Sequence, residues 1–222
     1  MVNLVKLLLF CVMLCFLFTS CAHSQECVDG INKLPMYGGV KKCQEYIDDD
    51  KQFIAECDKE YKTRKEAAEH MVMRGWQYFY SKKLDTSMMR FNQAWLLDSL
   101  NANIYWGFGN LLGMQGRFKE SLLFFERAIK LDPHNTRILL DASTSYGNVF
   151  FETKNIKYLD TTVKILKDAA KLDSHNPKIY AQLTMAYSYF TQKDSAKKYL
   201  KITDQLDPNS INPEVRKILV KK

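Results

Sequence analysis

Catalytic motifs are absent from this sequence of 222 residues. It contains no HExxH zinc motif, no GxSxG nucleophile turn and no glycine–lysine phosphate loop. The four histidines are scattered, and no CxxC pair accompanies them, so no pattern typical of a metal site is present. We therefore expect a protein that is not an enzyme and that holds no cofactor and no metal.

Long basic runs and long apolar runs are also absent. The formal net charge of +7 comes from scattered lysines, which indicate solvated helix faces; a weak attraction to anionic lipid head groups is the alternative. The apolar run at residues 7–18 follows Lys6 and is too short to span a membrane, so it predicts a signal peptide over residues 1–20. Because an exported chain does not meet nucleic acid, we expect no nucleic-acid partner.

Two cleavage sites fit the end of this leader. Thr19, Ser20 and Cys21 match a bacterial lipobox, in which the cysteine is lipidated and becomes the mature N-terminus. Cleavage after Ala22 is the alternative, since Ser20 and Ala22 are both small. We expect lipid attachment at Cys21 and hence a bacterial outer-membrane lipoprotein that faces the periplasm or the cell surface. The second site predicts a soluble secreted or periplasmic protein.

Three further cysteines follow, namely Cys27, Cys43 and Cys57. Cys43 and Cys57 lie 14 residues apart on one predicted helix, which separates them by roughly 21 Å, too far for a disulfide. We interpret both as small buried residues. The alternative, which suits an oxidising compartment, is a disulfide from Cys27 to one of them.

The remainder of the chain repeats itself. One set of landmarks, Gly75, Phe91, Ala94, Leu97 and Asp98, returns 34 residues later as Gly109, Phe125, Ala128, Leu131 and Asp132. The next step is 41 residues, to Leu166, Ala169, Leu172 and Asp173, and the step after it is again 34. A period of 34 residues with two amphipathic segments per period is typical of a helix–turn–helix repeat array.

These landmarks resemble the tetratricopeptide repeat family over residues 68–210. The first copy carries the likeness at Gly75, Tyr78, Phe91 and Ala94, and the second at Gly109, Gly116, Phe118, Phe125, Ala128 and Pro133. The resemblance implies an all-α fold, a right-handed α-solenoid of about four helix–turn–helix repeats. Within residues 63–210 the repeats would occupy 68–101, 102–135, 136–176 and 177–210.

The flanking segments complete the predicted architecture. Residues 21–40 are expected to form a lipid-anchored tether and an extended segment that packs on the first helices. Residues 41–62 predict an N-terminal helix, after which Thr63 and Glu66 form a capping box for a helix that starts near Arg64. Residues 211–222 predict a C-terminal capping helix, which we expect to turn Val215, Ile218 and Leu219 inward.

The third repeat carries seven extra residues, at about 150–157. Seven residues are two helical turns, which predicts one more turn in each helix of that repeat. The extension either provides a contact surface that is specific to this chain or is an insertion without a function.

The resemblance also implies where a ligand binds, because in this family the first helix of each repeat lines a concave groove. The groove set would be Val72, Trp76, Phe79 and Tyr80, then Asn103, Trp106, Asn110 and Met114, then Arg137, Thr144 and Asn148, and finally Lys178, Met185 and Tyr189. The alternative is that the N-terminal helix and residues 34–37 cover these aromatic rings as ordinary core.

Aromatic rings supply contact area, and asparagine amides bond peptide backbones. We therefore expect an adaptor or scaffold in the bacterial cell envelope that binds a protein or peptide through this groove and the membrane through its N-terminal lipid. One alternative is an assembly factor that resembles pilotin lipoproteins. The other is a small-ligand or glycan-binding envelope protein, in which Trp76, Trp106 and Tyr80 stack on sugars.

Overall fold

A computed structural model describes residues 26–190 and 192–220 of the protein, so the predicted leader and Cys21 lie outside it. The described residues form ten α-helices and no strand. The helices are α1 (Gln44–Glu60), α2 (Arg64–Tyr80), α3 (Leu84–Leu97), α4 (Ala102–Met114), α5 (Phe118–Leu131), α6 (Thr136–Thr153), α7 (Ile156–Leu172), α8 (Pro177–Tyr189), α9 (Lys193–Leu206) and α10 (Pro213–Val220).

The helices pack in consecutive pairs. α2 packs mainly on α3, α4 on α5, α6 on α7 and α8 on α9, and each pair then stacks on the next pair along the chain. This arrangement confirms the predicted all-α fold, a right-handed α-solenoid of helix–turn–helix units. Because each unit contacts its neighbours in sequence, the apolar core runs along the array instead of forming a single centre.

The same turn chemistry separates successive units. Asn101, Asn135 and Asn176 are the N-caps of α4, α6 and α8, and each side chain accepts a hydrogen bond from a backbone N–H of the first turn. In two of these turns the asparagine amide also donates, over 3.1 Å, to the aspartate that ends the preceding helix. The repeating Leu-Asp and Asn positions of the sequence therefore stop one unit and start the next.

Two glycines of the repeat pattern are required by close packing within a unit. A Cβ at Gly75 would lie 2.8 Å from the ring of Phe91, and one at Gly109 would lie 2.9 Å from the ring of Phe125. In each case the glycine is on the first helix of the unit and the phenylalanine on the second. Neither position has room for a larger residue.

The third unit accommodates its extra residues by lengthening both helices. α6 has 18 residues where α4 has 13, and α7 has 17 where α5 has 14. The position equivalent to the end of α4 is Asn148, and α6 continues for five residues beyond it to Thr153. The insertion therefore adds helix and leaves the stacking of units unchanged.

Residues 26–40 are folded into turns, although an extended segment was expected. A short helical turn at Ile31–Lys33 and a second turn at Pro35–Gly39 both pack against α3. The second turn is left-handed, with φ of 51° at Met36 and 56° at Tyr37. The Asn92 amide of α3 donates to the carbonyl oxygens of Asn32 and Leu34, which fixes this segment on the outer helix of the first unit.

A disulfide closes this segment onto the start of α1. Cys27 and Cys43 are bonded, 16 residues apart in sequence, so the interpretation of Cys43 as a free buried residue is wrong. Cys57 is free and buried, as expected. Beside the disulfide, Lys42 forms an ion pair with Asp50 and lies over the Tyr37 ring. Burial, together with the Asp50 carboxylate, raises the pKa of Tyr37 well above its usual range.

The C-terminal helix α10 packs on α8 and α9 and covers the last unit. Val215 and Leu219 are buried there, but Ile218 is 65% exposed, so the expectation that all three face inward is wrong for Ile218. Val215 and Leu219 are four positions apart and so lie on the same stripe of α10, which the neighbouring helices cover. Ile218 lies beside that stripe.

Candidate functional site

Four aromatic side chains form a cluster on the inner face of the first two units: Trp76, Phe79, Tyr80 and Trp106. The indole rings of Trp76 on α2 and Trp106 on α4 meet with their centroids 4.4 Å apart. Phe79 meets Trp76 edge-on at 5.3 Å, and Tyr80 stacks on it at 6.0 Å. Such contacts restrict the motion of the rings, and the two indoles and the Tyr80 phenol also carry a polar group.

Asp141 on α6 joins the second unit to the third. Its Oδ2 atom accepts a hydrogen bond from the Trp106 Nε1–H at 2.7 Å and another from the Asn110 amide at 3.0 Å. The guanidinium of Arg137, one turn earlier on α6, lies 5.8 Å from the Trp106 ring centroid. The inner face is thus a connected surface with an aromatic part followed by a polar part.

Two cavities continue this face towards the C-terminus. One of about 200 Å³ lies between α4 and α6, and one of about 70 Å³ lies between α6 and α8. The first is lined by residues that include Phe79, Asn110, Gly113, Met114, Thr144 and Asn148. The second, which we call the α6/α8 slot, is lined by residues that include Thr144, Gly147, Asn148, Phe151, Met185 and Tyr189. Thr144 and Asn148 line both and form the ridge between them.

Most of the residues predicted for the groove lie along this face. Tyr80 is 74% exposed and Met114 is 55% exposed, while Trp76 and Trp106 are partly buried. The other partly buried or exposed members are Phe79, Asn103, Asn110, Arg137, Thr144, Asn148, Lys178, Met185 and Tyr189. Val72 is the exception: at 8% exposure it belongs to the core cluster that contains Phe91 and Phe108, so it is not available on the groove surface.

The N-terminal elements lie elsewhere on the solenoid. The turns at residues 31–39 pack on α3, and α1 packs on α2 and α3 around Cys57, Ala67 and Ala68. Tyr80 remains largely exposed beside Trp76. This placement favours an open inner face over the alternative in which residues 34–37 and the N-terminal helix cover the rings.

Sequence reasoning missed several residues of this face, among them Asp141, Gly147, Phe151 and Gln182. Asp141 follows Arg137 by four residues and precedes Thr144 by three, so the helical stripe itself contained the signal. The equivalent residue of the second unit is Gly107, whose missing side chain makes room for the Phe91 ring, so the repeat pattern does not point to a polar residue at this position. Gln182 is the equivalent residue of the fourth unit, and its amide bridges to Ser143 and Thr144 on α6.

The charges of the inner face are mainly cationic in the third and fourth units. Arg137 and Lys178 begin the inner stripes of α6 and α8, and both are exposed. Within the described part of the chain, neither forms an ion pair with a carboxylate. The same part contains no group of three or more His, Cys, Asp or Glu side chains placed to hold a metal ion. None of its helices combines the length and apolar character that crossing a bilayer demands.

No protein-family model and no curated protein matches the sequence. Solved structures do share the fold. TTC0263, a thermophilic tetratricopeptide repeat protein of Thermus thermophilus, superimposes with a TM-score of 0.57 at 17% identity, covering 68% of this chain and 79% of its own. MamA gives a TM-score of 0.55 at 16% identity, with 64% and 79% covered. The MamA RS-1 ArsTM double mutant gives a TM-score of 0.57 at 13% identity, with 68% and 80% covered. At this identity the likeness establishes the tetratricopeptide-type fold alone.

Proposed function

We propose that this protein is a non-enzymatic scaffold that binds a protein or peptide along its inner face. The observation that carries the proposal is the open aromatic cluster, in which Trp76 and Trp106 meet at 4.4 Å and Asp141 holds the second indole. Large, rigid aromatic side chains with a polar edge are the residues that dominate binding energy at protein interfaces. Two cavities further along the same face give a ligand places to insert side chains.

The shape of the surface favours a macromolecular ligand over a small one. The two cavities and the aromatic cluster lie on successive units, so one ligand that fills them must extend across α2, α4, α6 and α8. Interhelical spacings of about 8–10 Å make this a path of several residues of peptide. The structural neighbours that share the fold are consistent with a scaffold, since tetratricopeptide solenoids present such a concave surface.

The envelope is the proposed location, with a lipid on Cys21 as the attachment. The Cys27–Cys43 disulfide supports export, because structural disulfides persist in oxidising compartments such as the bacterial periplasm and are rare in the cytosol. The apolar run before Cys21 and the small residues Thr19 and Ser20 support processing at that cysteine.

Site-specific photo-crosslinking in intact cells tests the binding face. A photoreactive amino acid at Met114, which is 55% exposed on the inner face, is compared with one at Leu123, which is 68% exposed on α5. We expect a discrete cross-linked protein band from position 114 only, and its loss when Trp106→Ala is added. Equal bands from both positions, or a band from position 123 alone, would contradict binding along the inner face.

Metabolic labelling with palmitate tests the attachment. We expect the wild-type chain to incorporate label and Cys21→Ser to incorporate none, while both retain the Cys27–Cys43 disulfide. Label that persists in Cys21→Ser would exclude lipidation at this residue without affecting the proposal for the inner face.

A further inference from the structure

Two helical glycines of the inner face are not required by packing. A Cβ at Gly147 would have no heavy atom within 4 Å, and one at Gly113 would meet only the Ser145 hydroxyl oxygen at 3.8 Å, an ordinary contact. They are 34 residues apart and thus occupy the same position in consecutive units. This contrasts with Gly75 and Gly109, whose Cβ atoms would clash with phenylalanine rings. Glycine is a poor helix former, so its presence in α4 and α6 needs another reason.

Each of these glycines opens a cavity on the inner face. Gly113 lines the cavity between α4 and α6, and Gly147 lines the α6/α8 slot. A Cβ at residue 147 would enter open space, and the residue itself lines the slot. The missing side chain therefore helps to keep open a recess whose lining includes Leu159, Met185 and Ala186.

The insertion in the third unit builds one wall of the α6/α8 slot. Phe151 lies in the five residues by which α6 extends beyond the equivalent end of α4. Its ring meets the Tyr189 ring of α8 edge-on, with centroids 4.7 Å apart. The wall is apolar, and it would be absent if α6 ended at Asn148, the position equivalent to the ends of α2, α4 and α8.

The size of the slot restricts what it admits. Its volume of about 70 Å³ is about half that of an engineered apolar cavity of ~150 Å³ that holds benzene. A branched aliphatic side chain such as that of leucine, isoleucine or valine fits this recess, while an indole or a sugar ring is too large. On the ridge beside it, Asn148 has an amide with no hydrogen-bond partner among the described residues, which leaves it free to pair with a peptide group.

The charges at one end of the slot restrict the ligand further. Lys178 is one turn before Gln182, which lines the slot, and Arg137 is about two turns before Thr144. Among the described residues neither cation forms an ion pair with a carboxylate. The Asp141 carboxylate on α6 accepts from Trp106 and Asn110. Two helical turns span about 10 Å, which is about three residues of extended peptide.

We infer that the α6/α8 slot, kept open by Gly147 and walled by Phe151, receives an aliphatic side chain of a peptide segment with an acidic residue about three positions away. The inference rests on the proposed function and specifies the chemistry of the peptide. Arg137 and Lys178 pair with the acidic residue, and the Asn148 amide bonds the peptide backbone between the two. The insertion thus acts as a specificity device that the second unit lacks.

Peptide selection on the full-length chain provides the test. A displayed random peptide library is panned against the protein, and the selected peptide is measured beside analogues in which its aliphatic residue is alanine or its acidic residue is the corresponding amide. Loss of a buried leucine side chain to alanine should weaken binding at least about tenfold. We expect the selected peptides to share an aliphatic residue and an acidic residue about three positions from it. The amide analogue should bind more weakly, and its affinity should not depend on salt.

Variants at the two equivalent glycines separate the slot from the rest of the groove. A Cβ at residue 147 meets no heavy atom within 4 Å, so we expect Gly147→Leu to keep the fold, which circular dichroism checks, and to fill the slot. The ratio of its affinities for the leucine peptide and the alanine analogue should then fall close to one. Gly113→Leu fills the other cavity. In that variant the ratio of the affinities for the leucine peptide and its alanine analogue should stay as in the wild type, even if both affinities change.

The results also separate the slot from the proposed function. If Gly147→Leu still prefers the leucine peptide over its alanine analogue as strongly as the wild type, and Trp106→Ala still abolishes binding, the inference about the slot is wrong and binding along the inner face is retained. Selected peptides that bind Trp106→Ala and Gly147→Leu as well as wild type would overturn both. Selected peptides rich in aromatic or basic residues would also contradict the inference.

Discussion

The indole nitrogen of Trp106 donates a 2.7 Å hydrogen bond to the carboxylate of Asp141, a residue of the next repeat. Asn110 donates to the same oxygen at 3.0 Å. The bond orients an aromatic ring of the inner face and at the same time ties two structural units together. Asp141 therefore contributes both to the inner face and to the stability of the solenoid.

Replacing Asp141 should destabilise the protein. Asp141→Ala removes two hydrogen bonds to a charged acceptor, and we expect the free energy of unfolding to fall by about 1.5 kcal/mol, since the released donors are partly accessible to water. Urea unfolding followed by circular dichroism measures this. Asp160→Ala is the matched control, because that carboxylate is exposed on α7 and should change stability by less than about 0.5 kcal/mol. Equal losses in both variants would show that Asp141 has no special structural role.

The Cys27–Cys43 disulfide should stabilise the native protein by constraining the unfolded chain. The bonded cysteines are 16 residues apart, and closing a loop of that size is worth about 3 kcal/mol. We expect the Cys27→Ser, Cys43→Ser double variant to lose about this much in urea unfolding, with the helical circular dichroism spectrum unchanged under native conditions.

Alkylation of the wild-type protein gives an independent readout of the same bond. Without reductant, Cys57 should react only after unfolding, because its thiol is buried, and Cys27 and Cys43 should not react at all. Mass spectrometry that finds carbamidomethyl groups on Cys27 or Cys43 under these conditions would contradict the disulfide.

Lys82 is a position where glycine should be better than the native residue. It follows α2 with φ of 57°, and the residue 34 positions later, Gly116, has φ of 74°. A left-handed conformation costs a residue with a Cβ about 1–2 kcal/mol, and glycine avoids this cost. Glycine also makes the unfolded chain more flexible, which offsets part of the gain in stability.

We therefore expect Lys82→Gly to raise the free energy of unfolding by about 0.5–1 kcal/mol in thermal or urea unfolding. Lys83→Gly is the control, since Lys83 has φ of −91° and gains nothing from glycine. A gain of the same size at both positions would point to an effect of charge removal instead of backbone conformation.

Much of the fold was predictable because the packing constraints recur with the period of the repeat. Gly75 and Gly109 face Phe91 and Phe125 at equivalent places, so each constraint appears in the sequence more than once. The length of the third unit also followed from spacing, since an insertion of two turns can be added to helices without changing the stacking.

The inner face was only partly predictable, because its properties depend on contacts between units. Asp141 is equivalent to Gly107, and only the structure shows that the indole of Trp106 reaches it. Gly109 and Gly147 are both helical glycines in the sequence, and only the empty space around the missing Cβ of Gly147 distinguishes the two. The partner of Cys27 depended on how residues 26–40 turn back onto α1 and α3, which no repeat in the sequence specifies.

Binding along the inner face is the central claim, and two exposed side chains test it most directly. Tyr80, in the aromatic cluster, is 74% exposed, and Leu123, on α5, is 68% exposed, so either can be changed to alanine with little effect on stability. The measurement is the dissociation constant for the partner or peptide selected by the wild-type chain, with the free energy of unfolding recorded for each variant. We predict that Tyr80→Ala weakens binding at least about tenfold while Leu123→Ala leaves it unchanged. Weaker binding by Leu123→Ala, with Tyr80→Ala equal to wild type, would contradict the claim.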